Sequence, residues 1–331
     1  MITEALTNYG FIDRLWWDHY EAGCGGLSEC PKCDTPGSPY CFPAAWANFT
    51  SLVHKISPGT LMGTGPDIAH SAGGEGGGGQ YPAWNTCNTT DGSPLSRCKT
   101  TGTDPYGENF RPFEADATIQ NPGDAWFWHD GHKYWKAADV WDHYFATIGR
   151  GTAFILNMPP DITGQIPTYF TEQTDAFGAA LRATMASNLG GVSNLKTACS
   201  APVEIDLGGA KTFDMVETRE DMLVGGQRIA SYTIEAFVGG KWTALPAVDK
   251  SNKGVHGKTV GIRIVDFVGG GAGVTATKLR WSCTSAIGGS AAEISIRSIT
   301  ARKSAPPTGC ESASLCRAEN AKLHDLEIAT K

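Results

Sequence analysis

Apolar and polar positions follow two different patterns along this chain, and the change falls near residue 193. Upstream, helical and buried-strand patterns take turns. Residues 2 to 9 read as the end of a helix, with Gly10 placed as its C-cap. The run Phe11-Ile12-Asp13-Arg14-Leu15-Trp16-Trp17-Asp18 follows at once, apolar and aromatic enough for a buried strand, yet it ends on a carboxylate. Phe42, Ala45, Trp46, Phe49, Leu52, Val53 and Ile56 then recur at helical spacing, and Pro43 suits a first turn. After the turn Ser57-Pro58-Gly59, Thr60-Leu61-Met62 opens a short strand and completes a β-α-β unit.

Residues 65 to 110 are rich in Gly, Pro, Thr and Asn and read as a long loop of the kind kept for function. Phe113, Ala115, Ala117 and Ile119 alternate with Glu114, Asp116 and Thr118, which predicts a strand with one polar face. Trp126-Phe127-Trp128-His129 alternates in the same way, as a strand with both Trp rings on one face. Residues 137 to 148 look helical, 152 to 157 form a buried strand stopped by Pro159-Pro160, and a further helix runs from about Tyr169 to Ser187. Downstream, short alternating runs occur at 203–207, 212–218, 227–236, 241–245, 259–266, 277–283 and 293–300. Turn residues fill most of the gaps, the pattern of a β-sandwich.

These patterns predict an α/β region followed by an all-β one: a partial (β/α)8 TIM-type barrel over residues 1–192, then a β-sandwich over 193–303. Residues 304–331 read as a polar, mobile tail. A complete barrel of this type takes about 250 residues. The first region supplies four or five strands, so about three N-terminal βα units are expected to be missing.

Composition narrows the picture. The formal charge of −7 argues against a nucleic-acid partner. Ten Cys and the sequons at Asn48 and Asn88 favour an oxidising compartment, either secreted or the lumen of the secretory pathway or lysosome. No membrane span is expected. The start, Met1-Ile2-Thr3-Glu4-Ala5-Leu6, lacks the features of a signal peptide, again as if the N-terminus were missing. Cys24, Cys30, Cys33 and Cys41 lie in an irregular insertion at about 19–41. Local disulfides are favoured there, with zinc as the alternative and the pairing left open. Gly74 to Gly79 formally matches a dinucleotide motif, but Gln80-Tyr81-Pro82 does not open a helix. Neither a cofactor nor a catalytic metal is expected.

Two carboxylates carry the chemistry. Asp18 closes a strand of the barrel type, whose C-terminal strand ends display catalytic groups. Glu75 lies in the Gly-rich loop after the next strand. Retaining glycoside hydrolysis needs such a pair, one ionised as nucleophile and one protonated as acid, about 5–5.5 Å apart. The plainer readings are a structural acid or helix cap for Asp18 and a solvated loop acid for Glu75. Trp126 and Trp128 could line a sugar pocket or simply pack the barrel, and Glu114 could simply belong to a polar strand face.

The segment from Tyr9 to Asp18 resembles the nucleophile strand of the family 29 α-L-fucosidases. Gly65-Pro66-Asp67 followed by Gly74-Glu75-Gly76 is similar to the acid/base stretch of the branch acting on α-1,3- and α-1,4-linked fucose. Glu114 to Ile119, Trp126 to His129 and Leu156 to Gly164 are similar to three further segments of that branch, in the same order. Residues 203–208 and 219–228 resemble the discoidin-like, galactose-binding-like sandwich that follows the barrel in these enzymes. His19 stands where the family usually has Gly, and Gly74 where it has Asn. The resemblance implies a retaining exo-α-L-fucosidase acting on fucosylated glycans, with Asp18 as nucleophile and Glu75 as acid/base. It also implies Trp17, Glu114, Trp126, Trp128 and His129 around the sugar. A noncatalytic carbohydrate-binding protein, its sandwich functional and its barrel decayed, is the alternative. Oligomeric state is not legible.

Overall fold

The computed structural model describes residues 2–16, 43–63, 67–70, 74–87, 104–107, 109–120, 126–246 and 257–307. Trp17, Asp18, the insertion at 19–41, Asn88 and the tail beyond residue 307 therefore lie outside the described residues. The chain divides into two compact units: Met1–Ala72 with Asn85–Glu114, and Gly73–Trp84 with Ala115–Lys331.

The first unit contains α1 (Ile2–Asn8), β1 (Arg14–Trp16), α2 (Pro43–Ile56) and β2 (Leu61–Gly63). Gly10 follows α1 at φ +88°, the left-handed conformation that suits a residue ending a helix. The β-α-β unit is present: β1 and β2 pair in parallel, Leu15 opposite Met62 and Trp16 opposite Gly63. Phe49, Val53 and Ile56 recur at helical spacing on one face of α2 and meet Leu6, Leu15 and Met62 in a small core. The strand starts later than the sequence suggests, because Phe11 is exposed ahead of it. The long loop contains two-residue strands, β3 (Ala69–His70), β4 (Thr86–Cys87) and β5 (Asn109–Phe110). β4 and β5 pair antiparallel, and β3 pairs in parallel with the start of β6 (Phe113–Thr118).

In the second unit, the remainder of β6 is followed by α3 (Ala137–Thr147), β7 (Ala153–Asn157) and α4 (Thr168–Ala186), close to the helices and strand expected there. Two sequence expectations fail in this part of the chain. Every residue of β6 is buried, so Glu114, Asp116 and Thr118 do not form a solvated polar face. Trp126 to His129 is irregular rather than a strand.

The rest of the second unit is β: β8 (Gly190–Ala198), β9 (Val203–Phe213), β10 (Met215–Glu220), β11 (Ile229–Val238), β12 (Lys241–Leu245), β13 (Ile264–Phe267), β14 (Val274–Ala286) and β15 (Glu293–Arg302). They form two four-stranded antiparallel sheets, ordered β13-β10-β15-β8 and β12-β11-β14-β9. Val216, Ile264, Ile296 and Ile299 of the first join Ile205, Ile234, Leu279 and Trp281 of the second in one buried cluster. A Cys199–Cys283 disulfide ties the segment after β8 to β14. β10 and β13 are buried on both faces. Met215, Val265 and Phe267 turn the other way, onto Trp141 and Phe145 of α3, with Phe177, Leu181 and Met185 of α4 against them.

Candidate active site

Glu75 lies at the centre of a single 3-10 turn, Gly74–Gly76, and is exposed. Two of the glycines that follow, Gly77 and Gly79, are crowded by neighbouring atoms. Gly77 sits at φ +65°, and a Cβ there would lie 2.8 Å from His143 Nδ1. Its N–H donates to the Asp116 carbonyl of β6 at 3.0 Å, and its own carbonyl lies 3.0 Å from His143 Nδ1. The His143 ring stacks on Trp135 at 3.8 Å between centroids. Two residues on, Gly79 donates to the Ala146 carbonyl at 2.7 Å, and Arg150 Nη1 donates to the Gly79 carbonyl at 2.7 Å. The Gly-rich loop is thus fastened to β6 and α3, and it leaves the Glu75 carboxylate facing water. An exposed carboxyl group can accept a proton as the carboxylate, or deliver one as the acid, at a bound substrate.

The end of β6 and the end of β7 meet through the Ile119 N–H, which donates to the Asn157 carbonyl at 2.9 Å. Two side-chain amides at these ends hold the aromatic segment. Asn157 donates from Nδ2 to Thr118 Oγ1 at 3.1 Å and to the Trp126 carbonyl at 2.9 Å. Gln120 accepts from the His129 N–H at 3.0 Å and donates back to the His129 carbonyl. These bonds replace the strand ladder that the alternating pattern predicts. Trp126 and Trp128 are half-buried, with Trp128 Nε1 donating to the Tyr169 hydroxyl at 3.1 Å. His129 is exposed and stacks on His132 at 4.7 Å. Beyond β7, the Asp161 carboxylate accepts from Thr163 Oγ1 at 2.6 Å and the Thr163 N–H at 2.8 Å, bonds that hold its pKa below the ordinary value.

Of the residues proposed from sequence, Glu75, Trp126, Trp128 and His129 therefore lie in the second unit. Glu114 belongs to the first unit, where its carboxylate is fully buried and ion-paired with Arg14. Asn48 falls within α2. Sequence reasoning gave no role to His143, Gln120 or Asn157. The local signal was slight, since an amide at a strand end looks like any turn residue. Among the described residues, no group of three or more His, Cys, Asp or Glu could hold a metal ion, and no helix is long and apolar enough to cross a membrane.

No family model matches the chain. It is 29% identical over 298 residues to a protein of Oryza sativa subsp. japonica provisionally named α-L-fucosidase 1, covering 79% of this chain and 52% of that one. It is 27% identical over 297 residues to α-L-fucosidase 1 of Arabidopsis thaliana, covering 78% and 53%. The chain thus spans about half the length of the curated relatives it matches. A crystal structure of a glycoside hydrolase 29 family member from an unknown rumen bacterium superposes with a TM-score of 0.71. It covers 95% of this chain and 55% of that one at 24% identity, a likeness of fold. These relatives support the resemblance to family 29 α-L-fucosidases, which are glycoside hydrolases, and a mixed α/β fold with β-sheets.

Proposed function

We propose that this chain carries the nucleophile and the acid/base of a retaining exo-α-L-fucosidase of the branch acting on α-1,3- and α-1,4-linked fucose. One observation carries the reading: similarity to plant α-L-fucosidases over 298 residues, about four-fifths of the chain. The exposure of Glu75, beside a Gly-rich loop fastened to β6 and α3, agrees with it. In this reading residues 1–192 contribute part of a (β/α)8 barrel, and 193–303 form a galactose-binding-like β-sandwich. The protein works in an oxidising compartment, with Asn48 and Asn88 as glycosylation sites.

Asp18 attacks the anomeric carbon while Glu75 protonates the departing glycosidic oxygen. Glu75 then removes a proton from water, which displaces Asp18 and releases fucose with its configuration retained. Trp17, Trp126, Trp128 and His129 surround the sugar. Glu114, buried against Arg14, acts on substrate only through that arginine.

The test is hydrolysis of a chromogenic α-L-fucoside, with azide added to two variants and the products identified by NMR. Glu75→Ala should be rescued to the α-fucosyl azide, because azide replaces water in the second displacement. Asp18→Ala should give the β-azide, because azide then attacks directly. Near-normal turnover in either variant, or the reverse product stereochemistry, overturns the assignment.

A further inference from the structure

We infer that Phe127 is a specificity-determining residue, its ring forming with Ile162 an apolar platform for the sugar next to fucose in an oligosaccharide substrate. The inference rests on the fucosidase reading above and goes beyond it to the leaving-group side. Phe127 is 82% exposed between two half-buried Trp residues, and Ile162 is 89% exposed. A single exposed apolar residue on a loose loop needs no explanation. These two are displayed on loops that are fastened down.

The Phe127 backbone is held on both sides: Asn157 bonds the Trp126 carbonyl, and Gln120 bonds the His129 N–H and carbonyl. Trp128 is anchored further by its bond to Tyr169. Ile162 tops a turn closed by the Asp161 carboxylate on Thr163 and by the Asp161 N–H donating to the Gln165 carbonyl at 2.8 Å. The two loops leave neighbouring strand ends, joined where Ile119 bonds Asn157. Backbone placement in such loops is set before any ligand arrives, which lowers the entropy cost of binding.

The chemistry fits a sugar other than fucose. A monosaccharide held for exo-cleavage needs concave walls that bury most of its surface. A ring four-fifths exposed cannot supply them. It can cover the C–H face of a pyranose lying across it, while the hydroxyl edge stays in water. Phe127 and Ile162 should therefore discriminate among aglycones and leave recognition of fucose itself unchanged.

Calorimetry in a Glu75→Gln background, which keeps the ligand intact, tests this with L-fucose and an α-1,3/1,4-fucosylated trisaccharide. Phe127→Ala should weaken trisaccharide binding about tenfold. It should leave L-fucose affinity within about twofold, and Phe127→Trp should preserve both. Equal weakening of the two ligands, or an unchanged trisaccharide affinity, overturns the platform while the fucosidase reading stands. Absence of L-fucose binding in the background protein removes that reading, and the platform with it.

Discussion

Arg302 donates from Nε to the carboxylate of Glu217 at 2.9 Å, across the pairing of β15 with β10. Its Nη1 reaches the Met185 carbonyl of α4 at 2.6 Å. Glu217 is also met by Arg219 Nε at 2.7 Å and Arg263 Nε at 3.0 Å, with its side chain 3% exposed. Burial acts to raise its pKa, but the guanidinium charges of Arg263, Arg219 and Arg302 outweigh it and hold the group below its ordinary value. Glu217→Ala leaves these cations crowded and uncompensated, and should cost about 3–5 kcal/mol in a urea titration. Because the folded pKa is depressed, this stabilisation is present above the unfolded pKa and is lost as pH falls through the folded one. Wild-type stability should fall accordingly on acidification below about pH 4.5. A variant as stable as wild type would remove the electrostatic role.

Glu220 should show the opposite sign. Burial pushes its carboxyl up to about 7, against N–H bonds from Ile229 at 2.8 Å, Arg228 at 2.7 Å and Gly261 at 2.6 Å. A raised folded pKa stabilises fully below the unfolded value and loses that contribution as pH rises through about 7. Glu220→Gln cannot titrate, and its amide turns N–H groups toward backbone donors. It should cost about 1–3 kcal/mol and flatten the stability profile between about pH 4.5 and 7. An unchanged profile would show that Glu220 is not the group responsible.

The Cys199–Cys283 disulfide closes a loop spanning 84 residues of sequence. Chain entropy assigns such a crosslink about 4–5 kcal/mol. The Cys199→Ala/Cys283→Ala double variant should lose roughly that much in urea, with mass spectrometry confirming the disulfide in the parent chain.

Gly77→Ala tests the loop that presents Glu75. Its Cβ would press on His143 Nδ1 at 2.8 Å in a left-handed backbone conformation. The strained conformation alone costs on the order of 1–3 kcal/mol. The variant should retain the overall circular-dichroism spectrum and lose at least about tenfold in kcat/KM on a chromogenic α-L-fucoside. Full activity would mean that the placement of Glu75 tolerates a shifted loop.

The helices were legible because each buries a stripe: Phe49, Val53 and Ile56 on α2 already declare the period. Most later strands were legible from alternation and turn residues. β8 was not, since Gly190-Gly191 reads as a turn. Alternation also misled at Trp126 to His129. There, half-buried rings flank an exposed one without any strand, because Gln120 and Asn157 satisfy the backbone from distant positions. Tertiary partners likewise decide the fate of Glu114, which looked solvated until Arg14 arrived from another strand, 100 residues away. Glu75 stood out in the Gly-rich loop, but the reason for its glycines did not, since His143 and Ala146 lie far along the chain. Disulfide partners 84 residues apart leave no local trace.

The seam where Met215, Val265 and Phe267 meet α3 and α4 limits how this protein can be dissected. A fragment beginning at residue 193 would carry three large apolar side chains with nothing above them, and an arginine stripped of its carbonyl partner at Met185. Such a cassette would tend to self-associate. The two sheets are therefore transplantable only together with α3 and α4, and a fragment cut to carry them should start upstream of residue 137.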